Sequence, residues 1–317
     1  MALDAATRAF LDKMAAAAAK PRHLLTPDEA RAGFRNLRLL LAPGAEVAEA
    51  RDLAIPVEGG TLRSRLYIPA GGEPQALLVY FHGGGWVVGG IEEFEPMCRD
   101  LAAGANVAVA LVECRKAPEH AFPGPLDDAW AALKWLAANR VEFAGSDLPL
   151  LVGGDSAGGN LAIAVTLRAR DENGPRIRGQ LLVYPVTDCR FDRASYTDPD
   201  NQLMLTTDVM KYYWGHYVPD ETQRASPLAS PCRAESLRGL PPAVVVTAEH
   251  DVLRDEGEEY AQRLQAADVP VELERRAGQM HGFLMMRGIL PGSDSGMAYT
   301  TGALKRLVTT IQQGDLK

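Results

Sequence analysis

Pro149-Leu150-Leu151-Val152-Gly153-Gly154-Asp155-Ser156-Ala157-Gly158-Gly159-Asn160-Leu161-Ala162 decides how the rest of this chain is read. Its first four residues form an unbroken apolar run, as in a strand covered on both faces. From Gly158 to Arg170 the apolar residues recur at the 3.6 spacing of a helix. Between them lies Gly154-Asp155-Ser156-Ala157-Gly158, a Gly-x-Ser-x-Gly pattern at a strand-to-helix turn. A turn that tight tolerates only small neighbours, and it thrusts the serine hydroxyl outward while Gly158 and Gly159 pack near the adjoining strand. A glycine-rich turn with an idle serine is the plainer reading, but it does not account for this position. Ser156 is therefore the candidate nucleophile.

Outward from this turn the chain repeats one rhythm. Apolar runs at Ala76 to Phe81, Val107 to Val112, Gln180 to Tyr184 and Ala243 to Ala248 resemble the run before Ser156. Helical spacing over Leu126 to Ala138 and Asp255 to Ala267 separates some of them. Strand, helix, strand repetition predicts a parallel sheet with helices on its faces. Ahead of it, Leu53, Ile55 and Val57, a Gly59-Gly60 turn, then Leu62, Leu66 and Ile68 read as an antiparallel hairpin. Further upstream, Thr26-Pro27-Asp28-Glu29 is a capping box that predicts a helix running towards Leu41. The alanine run from Met14 to Ala19 follows Asp4, Arg8, Asp12 and Lys13, and so reads as a surface helix instead of a signal-peptide core.

A serine hydroxyl needs a base, and the base needs a carboxylate to orient it. Asp251 lies just past the buried run Ala243 to Ala248. His281 lies in what reads as a glycine-rich loop, Ala277 to Phe283, after the following strand. Catalytic groups collect at the carboxyl ends of parallel strands, so this pair is preferred. His250 would face away from Asp251 at its strand end, His216 belongs to an aromatic stretch, and Asp255 and Glu256 fall into the next helix. A second motif, His82-Gly83-Gly84-Gly85-Trp86, follows the run Ala76 to Phe81. Three consecutive glycines beside a core strand cost backbone entropy, which is understandable where amides must face an anion. The amides of Gly84, Gly85 and Ala157 are the candidate donors.

Composition narrows the function. A formal net charge of -8 repels phosphate backbones and anionic headgroups, so neither nucleic acid nor a membrane surface is an expected partner. No stretch reaches the roughly 18 apolar residues of a membrane span, and a cytoplasmic setting is expected. Cys98, Cys114, Cys189 and Cys232 form no CxxC pair, so neither a metal site nor a disulfide framework is expected.

Taken together, His82 to Trp86, Gly154 to Gly158 with Gly159-Asn160-Leu161-Ala162, Asp251 within His250 to Gly257, and His281-Gly282-Phe283 resemble the bacterial hormone-sensitive-lipase-like esterases. The aspartate before the serine is similar to their GDSAG subgroup. Ala117-Pro118-Glu119-His120-Ala121-Phe122-Pro123 extends the likeness over nearly the whole chain.

The resemblance implies an α/β-hydrolase fold, a mostly parallel eight-stranded sheet flanked by helices, with a helical cap built from two insertions. On that basis residues 1–317 form one unit, with cap helices in 1–45 and 189–225 and a catalytic core in 46–188 and 226–317. It implies a triad of Ser156, Asp251 and His281, with Gly84, Gly85 and Ala157 at the oxyanion and His82, Gly83, Gly154, Asp155 and Gly158 supporting the two motifs. The implied reaction is hydrolysis of short- to medium-chain acyl esters, small-molecule substrates, without cofactor or metal. Family members are often dimers, so a homodimer is expected. An amidase or arylformamidase could use the same groups, and a silent ligand-binding relative would lack one of them. Three positions depart from the family pattern: Val252 in place of proline, Cys114 in place of tyrosine and Lys116 in place of leucine.

Overall fold

The computed structural model describes residues 2–17, 20–144 and 147–314. Eight strands form one sheet: β1 (Val47–Val57), β2 (Gly60–Pro69), β3 (Leu77–Phe81), β4 (Ala108–Glu113), β5 (Leu150–Asp155), β6 (Ile177–Val183), β7 (Ala243–His250) and β8 (Val271–Met280). Their spatial order is β1-β2-β4-β3-β5-β6-β7-β8. The hairpin β1–β2 closes with Val57 opposite Gly60, and β2 runs antiparallel to β4. From β4 to β8 every pairing is parallel. The central strands are the unbroken apolar runs of the sequence, as expected for strands buried on both faces.

The pleat sorts those runs between two layers of helix. Leu77, Val79 and Phe81 of β3 join a core shared with α4 (Gly124–Ala144), α5 (Ala157–Asp171) and α8 (Arg254–Ala266). Leu78 and Tyr80 point the other way, into a core with α3 (Ile91–Ala105) and α9 (Pro291–Gln312). Spacing alone does not predict α3 or α9, and their composition explains why. In its first half the buried side of α9 carries Ser293, Gly296, Thr300 and Thr301, and the aliphatic stripe of Leu304, Leu307, Val308 and Ile311 begins only after them; α3 holds Pro96 and Gly104 within its length. Thr300 and Thr301 satisfy their hydroxyls on the carbonyls of Gly296 and Met297 at 2.8 and 2.9 Å.

Four helices lie outside this alternation. Ahead of β1 come α1 (Ala5–Ala17) and α2 (Pro27–Leu37), and between β6 and β7 come α6 (Ala194–Thr197) and α7 (Thr207–Tyr217). The capping box forms: Thr26 accepts from the Glu29 amide at 3.3 Å, and the Glu29 carboxylate accepts from the Thr26 amide at 2.7 Å. The helix stops at Leu37, short of the expected Leu41, and residues 38–40 turn. Of the alanine run, Ala18 and Ala19 lie outside the described residues; Ala15 to Ala17 end α1.

The parallel arrangement has one decisive result. β3, β5, β7 and β8 all end on the same edge of the sheet, and the residues that follow them are His82, Ser156, Asp251 and His281. The strand before His281 is longer than its glycine suggests. Ala277 to Met280 continue β8, so the turn begins at His281 instead of Ala277. Gly278 is accommodated within the strand at φ +69°.

Candidate active site

Ser156 sits at φ 55° and ψ −119°, a backbone conformation that L-residues rarely adopt. Its surroundings enforce it. The Ser156 amide donates to the Val183 carbonyl at 2.9 Å, and its own carbonyl accepts from Val186 and Asn160, both at 3.1 Å. A Cβ on Gly158 would collide with the carbonyls of Phe81 and His82, and one on Gly154 with the Gly158 backbone. The glycines of the motif are thus required by backbone running against backbone.

The three candidate triad residues are brought together. His281 Nε2 lies 3.0 Å from Ser156 Oγ, and Nδ1 lies 2.7 Å from Asp251 Oδ2. The other carboxylate oxygen of Asp251 accepts the Leu253 amide at 2.9 Å. Asp251 is wholly buried, while Ser156 and His281 keep 6% and 9% of their surface exposed. The carboxylate is sealed from water and the hydroxyl is just reachable. The Tyr184 ring lies 4.6 Å from the imidazole, centre to centre, and limits its swing.

The glycine loop faces this group from β3. Gly84, Gly85 and Trp86 all have positive φ, at 111°, 60° and 58°. Within the loop Val87 and Val88 donate to the Gly84 carbonyl at 3.1 and 2.9 Å. The amides of Gly84 and Gly85 take no part in those loop bonds among the described residues. Ala157 is the first residue of α5, where the helix itself leaves N–H groups unpaired and its dipole favours negative charge.

Asp155 ties this loop to the serine turn. Its Oδ1 accepts the Gly83 amide at 2.9 Å and the Tyr80 hydroxyl at 3.1 Å. Burial pushes its carboxyl up to about 7, against the opposing pull of those two donors. His82 turns away from the serine. Its Nδ1 lies 2.6 Å from the Gly83 carbonyl, and its ring stacks on Phe94 at 5.1 Å. Burial first, and the charge of Lys116 second, push the imidazole down to about 4. Being neutral, it donates from Nδ1 to that carbonyl. His82 supports the loop and stands outside the proton path.

The sequence profile of the α/β-hydrolase fold matches residues 78–285. The chain belongs to that family. It is 41% identical over 235 residues to the carboxylesterase NlhH of Mycobacterium tuberculosis, which covers 73% of each chain. It is 36% identical over 295 residues to an ethyl acetate hydrolase of Pseudomonas putida, covering 90% of this chain and 92% of the other. An ester hydrolase from the metagenome of Lake Arreo, solved with a bipyridine phosphonate derivative, superposes with a TM-score of 0.91 at 34% identity, over 96% and 98% of the two chains. Within this α/β-hydrolase, the three departures from the esterase pattern leave the triad geometry intact. Val252 is buried and its carbonyl accepts the Ser195 hydroxyl at 2.6 Å. Cys114 is buried, and Lys116 pairs with Glu113 at 2.9 Å.

Sequence reasoning misses Tyr184, which follows β6 and packs on His281; it belongs to no local motif and meets the site only through the fold. Tyr213, within the aromatic stretch Tyr212 to Tyr217 that reads from sequence equally as pocket lining or as cap core, lies where a Cβ on Gly85 would go. The aromatic stretch does two things: Trp214 and Tyr217 are fully buried against Trp86, with the Tyr217 ring stacked on it at 4.0 Å, whereas Tyr213 reaches the glycine loop.

Proposed function

We propose that Ser156 is the nucleophile of a serine carboxylic-ester hydrolase, with His281 as its general base and Asp251 orienting the imidazole. The observation that carries this reading is the unbroken pair of hydrogen bonds from Asp251 through His281 to Ser156, at 2.7 and 3.0 Å. With the Nδ1 proton held by the carboxylate, the Nε2 lone pair faces the hydroxyl. In the reaction His281 takes the Ser156 proton as Oγ attacks the ester carbonyl. The amides of Gly84, Gly85 and Ala157 receive the developing oxyanion. Collapse expels the alcohol, protonated by His281, and leaves an acyl-enzyme. Water, deprotonated by the same imidazole, then releases the acid.

The chain is a carboxylic-ester hydrolase acting on small-molecule esters, in keeping with curated relatives of 36–41% identity. We further read residues 1–45 and 189–225 as a cap, an arrangement supported by the contacts of α2 and α7 with the glycine loop. A preference for short to medium acyl chains and a homodimeric state follow from the resemblance. The four free cysteines favour a reducing, cytoplasmic setting, and no described helix is long and apolar enough to cross a membrane.

Ser156→Ala tests the nucleophile. Turnover of a p-nitrophenyl ester should fall by about a million-fold, and a phosphonate probe should add its mass to the parent enzyme and not to the variant. Turnover close to that of the parent would refute the assignment. A series of acyl chain lengths, run beside matched amides, tests the substrate preference, which a maximum at long chains or faster amide cleavage would overturn.

A further inference from the structure

The carbonyls of the glycine loop are held from outside the catalytic core, and one side chain does much of the holding. Arg31, in the middle of α2, reaches across to the loop. Its Nε donates to the Val87 carbonyl at 3.0 Å. One terminal nitrogen donates to the Ala117 carbonyl at 2.9 Å, and the two together grip the Glu119 carboxylate at 2.8 and 2.5 Å. The Ala117 amide in turn donates to the Trp86 carbonyl at 2.9 Å. The guanidinium thus closes a ring through Val87, Trp86, Ala117 and Glu119. Its side chain is only 19% exposed although it sits on a short outer helix.

The position of this ring matters chemically. Trp86, Val87 and Val88 follow directly on the proposed donors Gly84 and Gly85, and the Val87 and Val88 amides bond back to the Gly84 carbonyl. Fixing the carbonyls of residues 86 and 87 therefore holds the two amides that bond the Gly84 carbonyl, and with it the Gly84–Gly85 peptide plane that aims the Gly85 amide; the Gly84 amide lies one plane earlier, where the Gly83 carbonyl is bonded by His82. Those glycines have no side chains to anchor them, and a stretch with three positive φ angles has little intrinsic preference for one shape. A planar, forked cation serves two carbonyls and a carboxylate in one fixed geometry, which the point charge of a lysine does not impose.

We propose that Arg31 is a positioning residue for the oxyanion donor Gly85, so that docking of α2 sets the rate of acyl transfer and not merely access to the pocket. The proposal rests on the serine-esterase reading above. It makes the segment before the first strand a working part of the catalytic machinery.

Steady-state kinetics and thermal melting of the full chain test it with four proteins: parent, Arg31→Ala, Arg31→Lys and Arg35→Ala. Arg35 is exposed on the same helix, so its variant removes the same charge without touching the loop. The parent must first hydrolyse the ester and take up one phosphonate; if it does not, the esterase reading fails and Arg31 is not the cause. Given an active parent, Arg31→Ala should lower kcat by about 10- to 100-fold with KM within about twofold, a loss comparable to a modest misplacement of reacting groups. The rate of phosphonate labelling should fall in parallel. Arg31→Lys should stay within about threefold of Arg31→Ala, and Arg35→Ala should match the parent. Three results would overturn the proposal: unchanged kcat in Arg31→Ala, a rise confined to KM, or full recovery by lysine. If Arg31→Ala melts too low to assay, Glu119→Gln, which leaves the two carbonyl contacts in place, should lower kcat by about two- to fivefold at unchanged KM, and no change in kcat would count against the ring.

Discussion

The serine turn and the glycine loop sit side by side, yet they are held by opposite means. Around Ser156 the restraint is made of backbone packed on backbone: β5 enters, α5 leaves, and the glycines stand where Phe81 and His82 carbonyls permit no side chain. Around Gly84 and Gly85 the restraint is distant and made of side chains. Asp155 fixes Gly83, Arg31 fixes Val87, Tyr213 covers Gly85, and Tyr217 stacks on Trp86. A strained backbone persists only where its surroundings over-determine it. The first site meets that condition with main chain alone, from β5, α5 and the neighbouring ends of β3 and β6, and the second needs side chains from three separate segments, β5, α2 and α7.

The largest expected effect comes from breaking the backbone restraint. In Gly158→Ala the new methyl meets two main-chain carbonyls of the β3 end, and neither can move without pulling the central sheet apart. We expect a loss of about 4 kcal/mol or more, seen as failure to accumulate folded protein or as a melting temperature lower by roughly 10 °C. A variant that melts with the parent would mean that the serine turn has slack.

Gly85→Ala strikes the distant restraint instead, and its cost should fall on rate more than on stability. Its methyl would meet the Tyr213 ring, a side chain on a peripheral helix, and alanine at φ 60° adds about 1 kcal/mol of strain. The expected outcome is a kcat lower by about 100-fold with a melting temperature within a few degrees of the parent. Adding Tyr213→Ala should return part of that rate by clearing the space. No recovery in the double variant would show that the backbone angle, and not the packing, is what the loop requires.

The same contrast explains what was legible in the sequence. Gly154 to Gly158 and His82 to Trp86 could be read because each is contiguous and each follows a buried apolar run, so that the parallel sheet delivers both to one edge. Asp251 and His281 could be read from their order and from the strands before them. The structure also brings Asp251 and His281 to Ser156 as that order implies. Tyr184 and Arg31 could not be found that way, and Tyr213 only as one member of an aromatic stretch that reads equally as pocket lining or cap core. Their side chains matter only through partners about 55 to 130 residues away, and a tyrosine just after a strand or an arginine on an amphipathic helix has an ordinary local explanation. The helices α3 and α9 escaped for a different reason, since glycine, proline, serine and threonine on their buried sides weaken the apolar period on which prediction depends.

Asp155 joins the two regions, and its ionisation gives a third test. Burial pushes its carboxyl up to about 7 in the folded protein, well above the ordinary carboxylate range near 4. Between about pH 4 and 7 the folded chain keeps a proton that the unfolded chain has released. The resulting stability is therefore fully present below pH 4 and is lost as pH rises through 7. Glu256, raised to about 8 by burial, adds a change of the same sign. Asp155→Asn keeps an acceptor for Gly83 and cannot ionise. The difference in urea midpoint between pH 5 and pH 8 should therefore be smaller in the variant than in the parent, and an equal difference would mean that Asp155 does not titrate in this window.

The smallest effect tests how far the distant restraint depends on the helix that delivers it. Thr26 caps α2 through the Glu29 amide, five residues before Arg31. Thr26→Ala removes one N-terminal hydrogen bond, a loss of about 1 kcal/mol, or roughly 2 °C in a chain of this size. If Arg31 is gripped as firmly as its contacts to Val87, Ala117 and Glu119 imply, the middle of α2 stays docked while its first turn frays, and kcat should remain within about twofold of the parent. A tenfold fall in kcat with the melting temperature unchanged would mean that the loop depends on the whole of α2, and not on the guanidinium alone.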